Sequence, residues 1–173
     1  MKTLAEVMIG ETFKIADIEF IKFTEEDGKV CAVTKDSLFK DYFGSNNNFS
    51  KSQLLKRLEN EVLPKIEEAV GAENVYEFET DLTSLCGSDL YSTMKSKISL
   101  VTLDFYRKHV KIFDKHKLNY WWWLATPEST KEHNDDYWVL CVSPSGYVYG
   151  LISSYYGLGF RPFLIFSSSI FVS

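Results

Sequence analysis

The C-terminal segment of this chain has almost no charge. Between Tyr137 and Ser173 the single acid or base ionised at neutral pH is Arg161, whereas Tyr, Trp and Phe recur throughout. Such a segment is expected to form core, a partner interface, or both. The N–H donors of a lone guanidinium need fixed acceptors there, so we expect Arg161 to be buried and structural.

Patterns typical of exported and membrane proteins are also missing. The N-terminal residues show no apolar run of the signal-peptide kind, and no stretch reaches the roughly 18 apolar residues that cross a bilayer. The three cysteines, Cys31, Cys86 and Cys141, are far apart and odd in number. They are interpreted as reduced core thiols, and the expected location is the cytoplasm.

A basic excess is absent as well. The chain has 19 Lys and Arg against 24 Asp and Glu, a net charge of −5. Direct, specific nucleic-acid binding is therefore not expected, and the acidic excess is too small to indicate DNA mimicry. With 173 residues, the chain is long enough to bury a core as one domain, 1–173.

The N-terminal residues predict β-hairpins. Alternating apolar residues at 12–15 and 18–23 indicate two strands, and Asp27-Gly28 indicates a tight turn into a third strand at 30–33. A polar loop is expected at 44–48.

A first helix is expected after this loop. Ser50 and Gln53 form a capping-box pattern. Pro64 predicts either a kink or a second short helix, which ends at Gly71. The predicted buried face has four-residue spacing: Leu54, Leu58, Val62 and Ile66.

A second helix is predicted to begin after its N-cap, Thr102. Its expected apolar stripe consists of Leu103, Tyr106, Val110 and Phe113. The opposite face is basic: Arg107, Lys108, Lys111, Lys115 and Lys117. This row either is solvated or meets phosphates or an acidic partner surface.

Residues 119–173 predict a β-rich part that follows an N-terminal β and helical part, 1–118. Short strands are expected at 120–124, 137–142, 147–152, 160–166 and 170–172. Side chains alternate along a strand, so Trp122 should point opposite to Trp121 and Trp123. Trp122 and Trp123 are expected to be structural, and the fold class is α+β.

Three elements of this part resemble a family of uncharacterised bacterial and prophage proteins. They are Trp122-Trp123-Leu124-Ala125-Thr126-Pro127, the hairpin at 142–148, and Gly159-Phe160-Arg161-Pro162. The last also resembles the closing motif of the C-type-lectin-like and formylglycine-generating-enzyme fold. The resemblance implies one α+β domain with N-terminal hairpins, two helices and a lectin-like twisted antiparallel sheet.

No residue set has the spacing of a familiar catalytic or metal site. A thiol–imidazole pair would need Cys86 or Cys141 close to a histidine: His109, His116 or His133. Cys141, however, lies in the middle of a predicted strand. The possible ligand sets are His109 with Asp114 and His116, and His133 with Asp135 and Asp136. Both lack regular ligand spacing, so we expect no metal, no cofactor and no enzymatic activity. Formylglycine-generating enzymes need a close thiol pair, which is missing here.

Tyrosine and serine in the C-terminal loops are typical of binding surfaces. The residues expected to contact a partner are Tyr147, Tyr149, Tyr155, Tyr156, Arg107, Lys111 and Lys115. The same tyrosines would otherwise close the sheet. The family resemblance suggests a prophage inhibitor in the host cytoplasm that binds a defence protein, for example an anti-CRISPR protein acting on a Cas effector. The alternatives are a carbohydrate- or receptor-binding phage accessory domain and a thiol- or metal-dependent enzyme.

Overall fold

A computed structural model describes residues 1–173. Four α-helices are present: α1 (Gln53–Arg57), α2 (Leu63–Val70), α3 (Leu103–Lys108) and α4 (Val110–Lys115). The N-terminal strands are β1 (Lys2–Thr3), β2 (Thr12–Ile15), β3 (Ile18–Glu26), β4 (Lys29–Thr34) and β5 (Lys40–Asp41). The central ones are β6 (Phe78–Asp81), β7 (Thr93–Ser96) and β8 (Ile98–Leu100). The C-terminal ones are β9 (Trp122–Pro127), β10 (Trp138–Val142), β11 (Val148–Ile152), β12 (Leu158–Phe160), β13 (Pro162–Ser167) and β14 (Phe171–Val172).

The strands form two five-stranded sheets. Sheet I has the order β2-β3-β4-β13-β8, and sheet II has the order β11-β10-β9-β12-β5. The pairs β1–β14 and β6–β7 complete the β-structure. Together with the helices, these sheets make a single α+β domain, as expected.

The β3–β4 hairpin closes at the predicted Asp-Gly turn. Asp27 and Gly28 both have positive φ angles, 49° and 74°, which match the right-handed twist of the flanking strands. Ala16 and Asp17 make an equivalent turn between β2 and β3, with φ of 48° and 64°. The sequence gives no comparable signal there, because Ala rarely adopts this conformation.

The C-terminal strands do not form a sheet of their own. β13 lies in sheet I between β4 and β8, and β5 from the N-terminal part joins sheet II. The expected boundary at 118/119 therefore separates no structural units. Sheet II is also not purely antiparallel, because β12 pairs with β9 in parallel.

The first helical segment begins later than predicted. Ser52, not Ser50, is the N-cap of α1, and its Oγ accepts a hydrogen bond from the Leu55 N–H at 3.0 Å. Ser50 lies in a preceding 3₁₀ turn capped by Asn48. A π-helical turn at Leu58–Val62 joins α1 to α2, Pro64 lies in the first turn of α2, and Gly71 ends α2 with φ 87°. The predicted apolar face is confirmed: Leu54, Leu58, Val62 and Ile66 are all buried.

The second helical segment is interrupted. Thr102 caps α3 as predicted, with its side chain accepting from Phe105 N–H, but a turn at His109 separates α3 from α4. Tyr106 and Phe113 are buried, whereas Val110 is exposed. The predicted stripe was wrong at Val110 because it assumed one unbroken helix.

Two apolar cores lie on opposite faces of the sheets. The larger core contains the buried residues of α1 and α2, and the smaller core contains Tyr106 and Phe113 from α3 and α4. Along β9, Trp123 and Ala125 face the larger core, while Trp122 and Leu124 face the smaller one. The predicted alternation of the tryptophans is confirmed.

Replacing the N-cap residue of α1 tests the helix start. Ser52→Ala leaves the Leu55 N–H without its acceptor, so we expect the free energy of unfolding to fall by about 1 kcal/mol. The matched control Ser50→Ala should change it by less than roughly 0.5 kcal/mol, since Ser50 is exposed. Urea unfolding followed by circular dichroism measures both, and a larger loss for Ser50→Ala would contradict the assignment.

Candidate functional site

The four tyrosines expected to contact a partner are all at the surface. Tyr147 is 67% exposed, Tyr149 48%, Tyr155 52% and Tyr156 72%. Tyr147 directly precedes β11, Tyr149 lies on it, and Tyr155 and Tyr156 lie on the loop that follows it. None of the four rings is buried, so all four are accessible to a partner.

The β10–β11 hairpin is held against α3 and the end of α4. Its turn lies at Pro144-Ser145-Gly146, as predicted, and Gly146 has φ 92°. The Tyr106 hydroxyl donates to the Gly146 carbonyl at 2.9 Å, and Lys117 Nζ donates to the Ser145 carbonyl at 3.3 Å. These bonds fix where Tyr147 leaves the turn.

Three rings form a continuous row beside the hairpin. The ring centres of Trp121 and Tyr149 are 5.0 Å apart, and those of Tyr149 and Tyr147 are 5.7 Å apart. Trp121, half-buried, packs against the larger core. We call Trp121, Tyr149 and Tyr147 the aromatic row. Trp121 was not among the predicted site residues, because only the cross-strand arrangement brings it to Tyr149.

β11 is an edge strand of sheet II. Its register with β10 pairs Tyr149 with Cys141 and Leu151 with Val139, and the Ser143 N–H donates to the Tyr147 carbonyl at 2.8 Å. Backbone groups alternate in direction along an antiparallel pair, so the N–H and C=O of Val148 and Gly150 point away from β10. No strand covers them.

A shallow cleft lies on the other face of this edge. It has a volume of about 210 Å³ and is lined by Glu128, Asp135, Trp138 and Gly150. The Glu128 carboxylate lies directly over Gly150, where any Cβ would collide with it. The edge is thus flanked by aromatic rings on one face and carboxylates on the other.

The loop that carries Tyr155 and Tyr156 is anchored at its start. Ser153 is buried; its N–H donates to the Tyr137 carbonyl at 2.7 Å, and its carbonyl accepts from the Phe43 N–H at 2.9 Å. The two tyrosines beyond this anchor are the outermost part of the connection to β12.

The predicted basic residues are divided between two helices. Arg107, Lys111 and Lys115 are exposed, but the turn at His109 places Arg107 on α3 and the two lysines on α4. Arg107 lines a separate groove of about 200 Å³ together with Asp81 and Asp104. The basic residues therefore lie on two short helices and not on one continuous helix.

The candidate ligands near α4 each have separate neighbours. The His109 ring packs on Phe105 and Phe23, and burial, with a further contribution from Lys108, lowers the pKa of His109. His116 Nε2 bonds to the Gly10 carbonyl at 3.0 Å, and Asp114 pairs with Lys117. No group of three or more His, Cys, Asp or Glu side chains converges anywhere in the structure.

The cysteines occupy three different environments. Cys141 is buried in β10, and burial raises the pKa of its thiol to about 12. Cys31 is half-buried, and burial raises its pKa too. Cys86 is exposed in the loop after β6, so the expectation of three core thiols was wrong there. No histidine nitrogen hydrogen-bonds to a thiol; the single bond of a histidine ring is the one from His116 to Gly10.

The residues of the Gly159–Pro162 motif each have a packing role. Gly159 lies so close to Ser37 and Tyr120 that a Cβ would collide with both. Phe160 is fully buried in the larger core. Arg161 is 1% exposed, as expected, and its Nε donates to the Thr34 carbonyl at 2.9 Å.

Comparison with known protein families, with curated proteins and with solved structures found no match. The family and the lectin-like fold indicated by the motifs therefore stay predictions. None of the four helices is long and apolar enough to cross a membrane.

Alkylation with iodoacetamide should distinguish the three thiols. At about pH 8 the folded protein should gain one adduct, on Cys86, because it is the one exposed thiol and the reagent must reach the sulfur. Intact-mass spectrometry after brief exposure measures this. Cys86→Ser should remove the adduct, whereas the control Cys141→Ala should leave it unchanged. Rapid labelling of Cys141 in the folded wild-type protein would contradict the burial described here.

Proposed function

We propose that the protein is a non-catalytic binding module that pairs the free edge of β11 with an extended segment of a protein partner. The observation that carries the proposal is the coincidence of an uncovered strand edge with the aromatic row. Strand addition gains affinity from main-chain hydrogen bonds and specificity from alternating side chains. Val148 and Gly150 offer the main-chain groups, and Tyr147 and Tyr149 offer the side chains.

The two faces of the edge define the chemistry of the partner segment. Residues of the added strand that point towards Tyr147 and Tyr149 would be apolar or aromatic, because such pairs stabilise neighbouring strands. Residues that point towards Glu128 and Asp135 would be Lys or Arg, because an unlike charge is favoured beside two carboxylates. Tyr155 and Tyr156 extend the contact surface beyond the end of β11.

The motif resemblance adds a cellular setting to this proposal. It suggests a prophage protein in the host cytoplasm that inhibits a defence protein, with a Cas nuclease as the specific example. The support is the resemblance together with a surface suited to protein contact. Affinity capture from a bacterial lysate, followed by purification of the captured protein, tests the setting by naming the partner.

A carbohydrate partner is the second candidate. The observation that favours it is the cleft in which the exposed Trp138 ring lies beside Glu128 and Asp135. Sugars stack on aromatic faces, and carboxylates accept hydrogen bonds from their hydroxyl groups. Saccharide binding that is lost in Trp138→Ala but kept in Tyr147→Ala/Tyr149→Ala would favour this candidate over the protein-binding one.

Removing two rings of the aromatic row tests the proposed surface. Tyr147→Ala/Tyr149→Ala should weaken binding of the purified partner by roughly 2 kcal/mol or more, about 30-fold in Kd, if the row includes the central anchor. Isothermal titration calorimetry measures the change, and circular dichroism confirms that the variant is folded.

The matched control for this double variant is Phe171→Ala. Phe171 is an equally exposed aromatic residue, 68%, but lies on β14 outside both five-stranded sheets. It should bind like the wild type. A folded double variant that binds with wild-type affinity would show that the working surface lies elsewhere.

Proline at position 148 separates strand pairing from side-chain contact. Because the Val148 N–H points away from β10, Val148→Pro removes a donor offered to the partner but no hydrogen bond of sheet II. We expect at least a tenfold increase in Kd compared with Val148→Ala, which loses the same side-chain packing and keeps the N–H. Equal affinities of the two folded variants would exclude strand addition at this edge.

A further inference from the structure

Arg161 carries a buried positive charge that forms no direct ion pair with a carboxylate. Its side chain is 1% exposed, yet it takes part in none of the ion pairs of the structure. Its single hydrogen bond runs from Nε to the Thr34 carbonyl, and Nη2 is buried without any acceptor. Buried charges are normally paired, and buried N–H donors are normally satisfied.

The aromatic neighbours of Arg161 meet only part of this requirement. The guanidinium carbon is 5.1 Å from the ring centre of Trp122 and 5.4 Å from that of Phe113. Ring faces stabilise a cation, but they provide no lone pair for an N–H donor. Burial lowers the pKa of Arg161 to about 10, and the negative charge of Asp36 opposes this shift only in part.

A small cavity adjoins the guanidinium. It has a volume of about 10 Å³, which is close to the minimum that holds one water molecule, so an anion requires the opening to widen. Its lining includes Arg161 with the rings of Trp122 and Phe113, and also Asp114, Lys117 and Gly146. The Lys117 ammonium lies 3.5 Å from Asp114 and is 46% exposed, so this side chain can move to widen the opening.

We propose that this cavity is a binding site for one small monovalent anion such as chloride. An anion accepts the hydrogen bond that Nη2 lacks and also balances the buried charge. A water molecule would satisfy the donor but would add no negative charge beside a cation that Asp36 stabilises only in part. Lys117 supplies a second cation at the opening, where Asp114 holds it when the site is empty.

The consequence is a link between anion concentration and folding. The anion binds where the chain passes from β12 in sheet II to β13 in sheet I, so it binds the folded state and not the unfolded chain. Above the dissociation constant, each tenfold increase in chloride should raise the folding equilibrium constant about tenfold. The cavity adjoins the β10–β11 turn at Gly146 but includes no residue of the proposed binding edge, and the inference does not depend on the proposed function.

Bromide substitution tests the site directly. Crystals of the full chain grown or soaked in sodium bromide should show an anomalous peak in the cavity, in contact with Arg161 Nη2. An ordered water at that position under saturating bromide, or an empty cavity, would overturn the proposal.

Thermal unfolding provides an independent test in solution. The probe is chloride exchanged for gluconate at constant ionic strength, which keeps general screening unchanged. The melting temperature of the wild type should rise with chloride, whereas that of Arg161→Met should not respond. The matched control Arg57→Met removes an arginine already paired with Asp41 and Glu61, and it should keep the wild-type response.

Equal responses of the wild type and Arg161→Met would contradict the proposal. If Arg161→Met does not fold, the bromide experiment on the wild type decides.

Discussion

The step from Phe160 to Pro162 is the constraint on which both sheets depend. Within three residues the chain ends β12 in sheet II and begins β13 in sheet I. Arg161 occupies the middle of this step, and its Nε binds the carbonyl of Thr34 at the end of β4. Pro162 takes the first position of β13, where a strand tolerates a missing N–H. The junction thus sets the position of one sheet relative to the other.

A second buried polar residue, Asn47, organises the region around the candidate site. Its side-chain amide donates to the carbonyls of Ser129 and Trp138, at 2.8 and 2.9 Å, and its Oδ1 accepts from the Tyr91 hydroxyl at 2.6 Å. These bonds tie the start and the end of the connection between β9 and β10. They hold in place the segment that supplies Asp135 to the acidic cleft. The expected polar loop at 44–48 is therefore partly buried, and the role of Asn47 is structural.

Local patterns predicted local structure well. Backbone preferences predicted the Asp27-Gly28 turn. Periodicity predicted the opposite orientations of Trp122 and Trp123, and also the buried face of the first helical segment: Leu54, Leu58, Val62 and Ile66. Ser50 and Ser52 both precede the helix within a few residues, and only the hydrogen bond to Leu55 decides between them. Val110 fits a helical stripe, but periodicity does not reveal the turn at His109. The partners of β13 and β5 were not predictable, because pairing between distant strands leaves no local signal.

In the candidate site, too, local features were predictable from the sequence and long-range contacts were not. The exposure of Tyr147, Tyr149, Tyr155 and Tyr156 agrees with their position in hairpin and loop residues. The contribution of Trp121 and the free edge of β11 emerge only from the order of strands in sheet II. Glu128 could not be placed over Gly150 from the sequence, since the two residues belong to different segments and meet only through the packing of β10 and β11.

The central place of β13 in sheet I has a consequence for synthesis on the ribosome. β2, β3 and β4 are adjacent in sequence and can pair early, but the second edge of β4 stays open until residues 162–167 have emerged. During that interval the nascent chain presents an unpaired strand edge and the apolar faces of Phe20 and Val30, features that promote aggregation of partly folded chains. Deletion of the last dozen residues would accordingly remove an inner strand, and a nascent chain stalled before this point would be a natural client of chaperones.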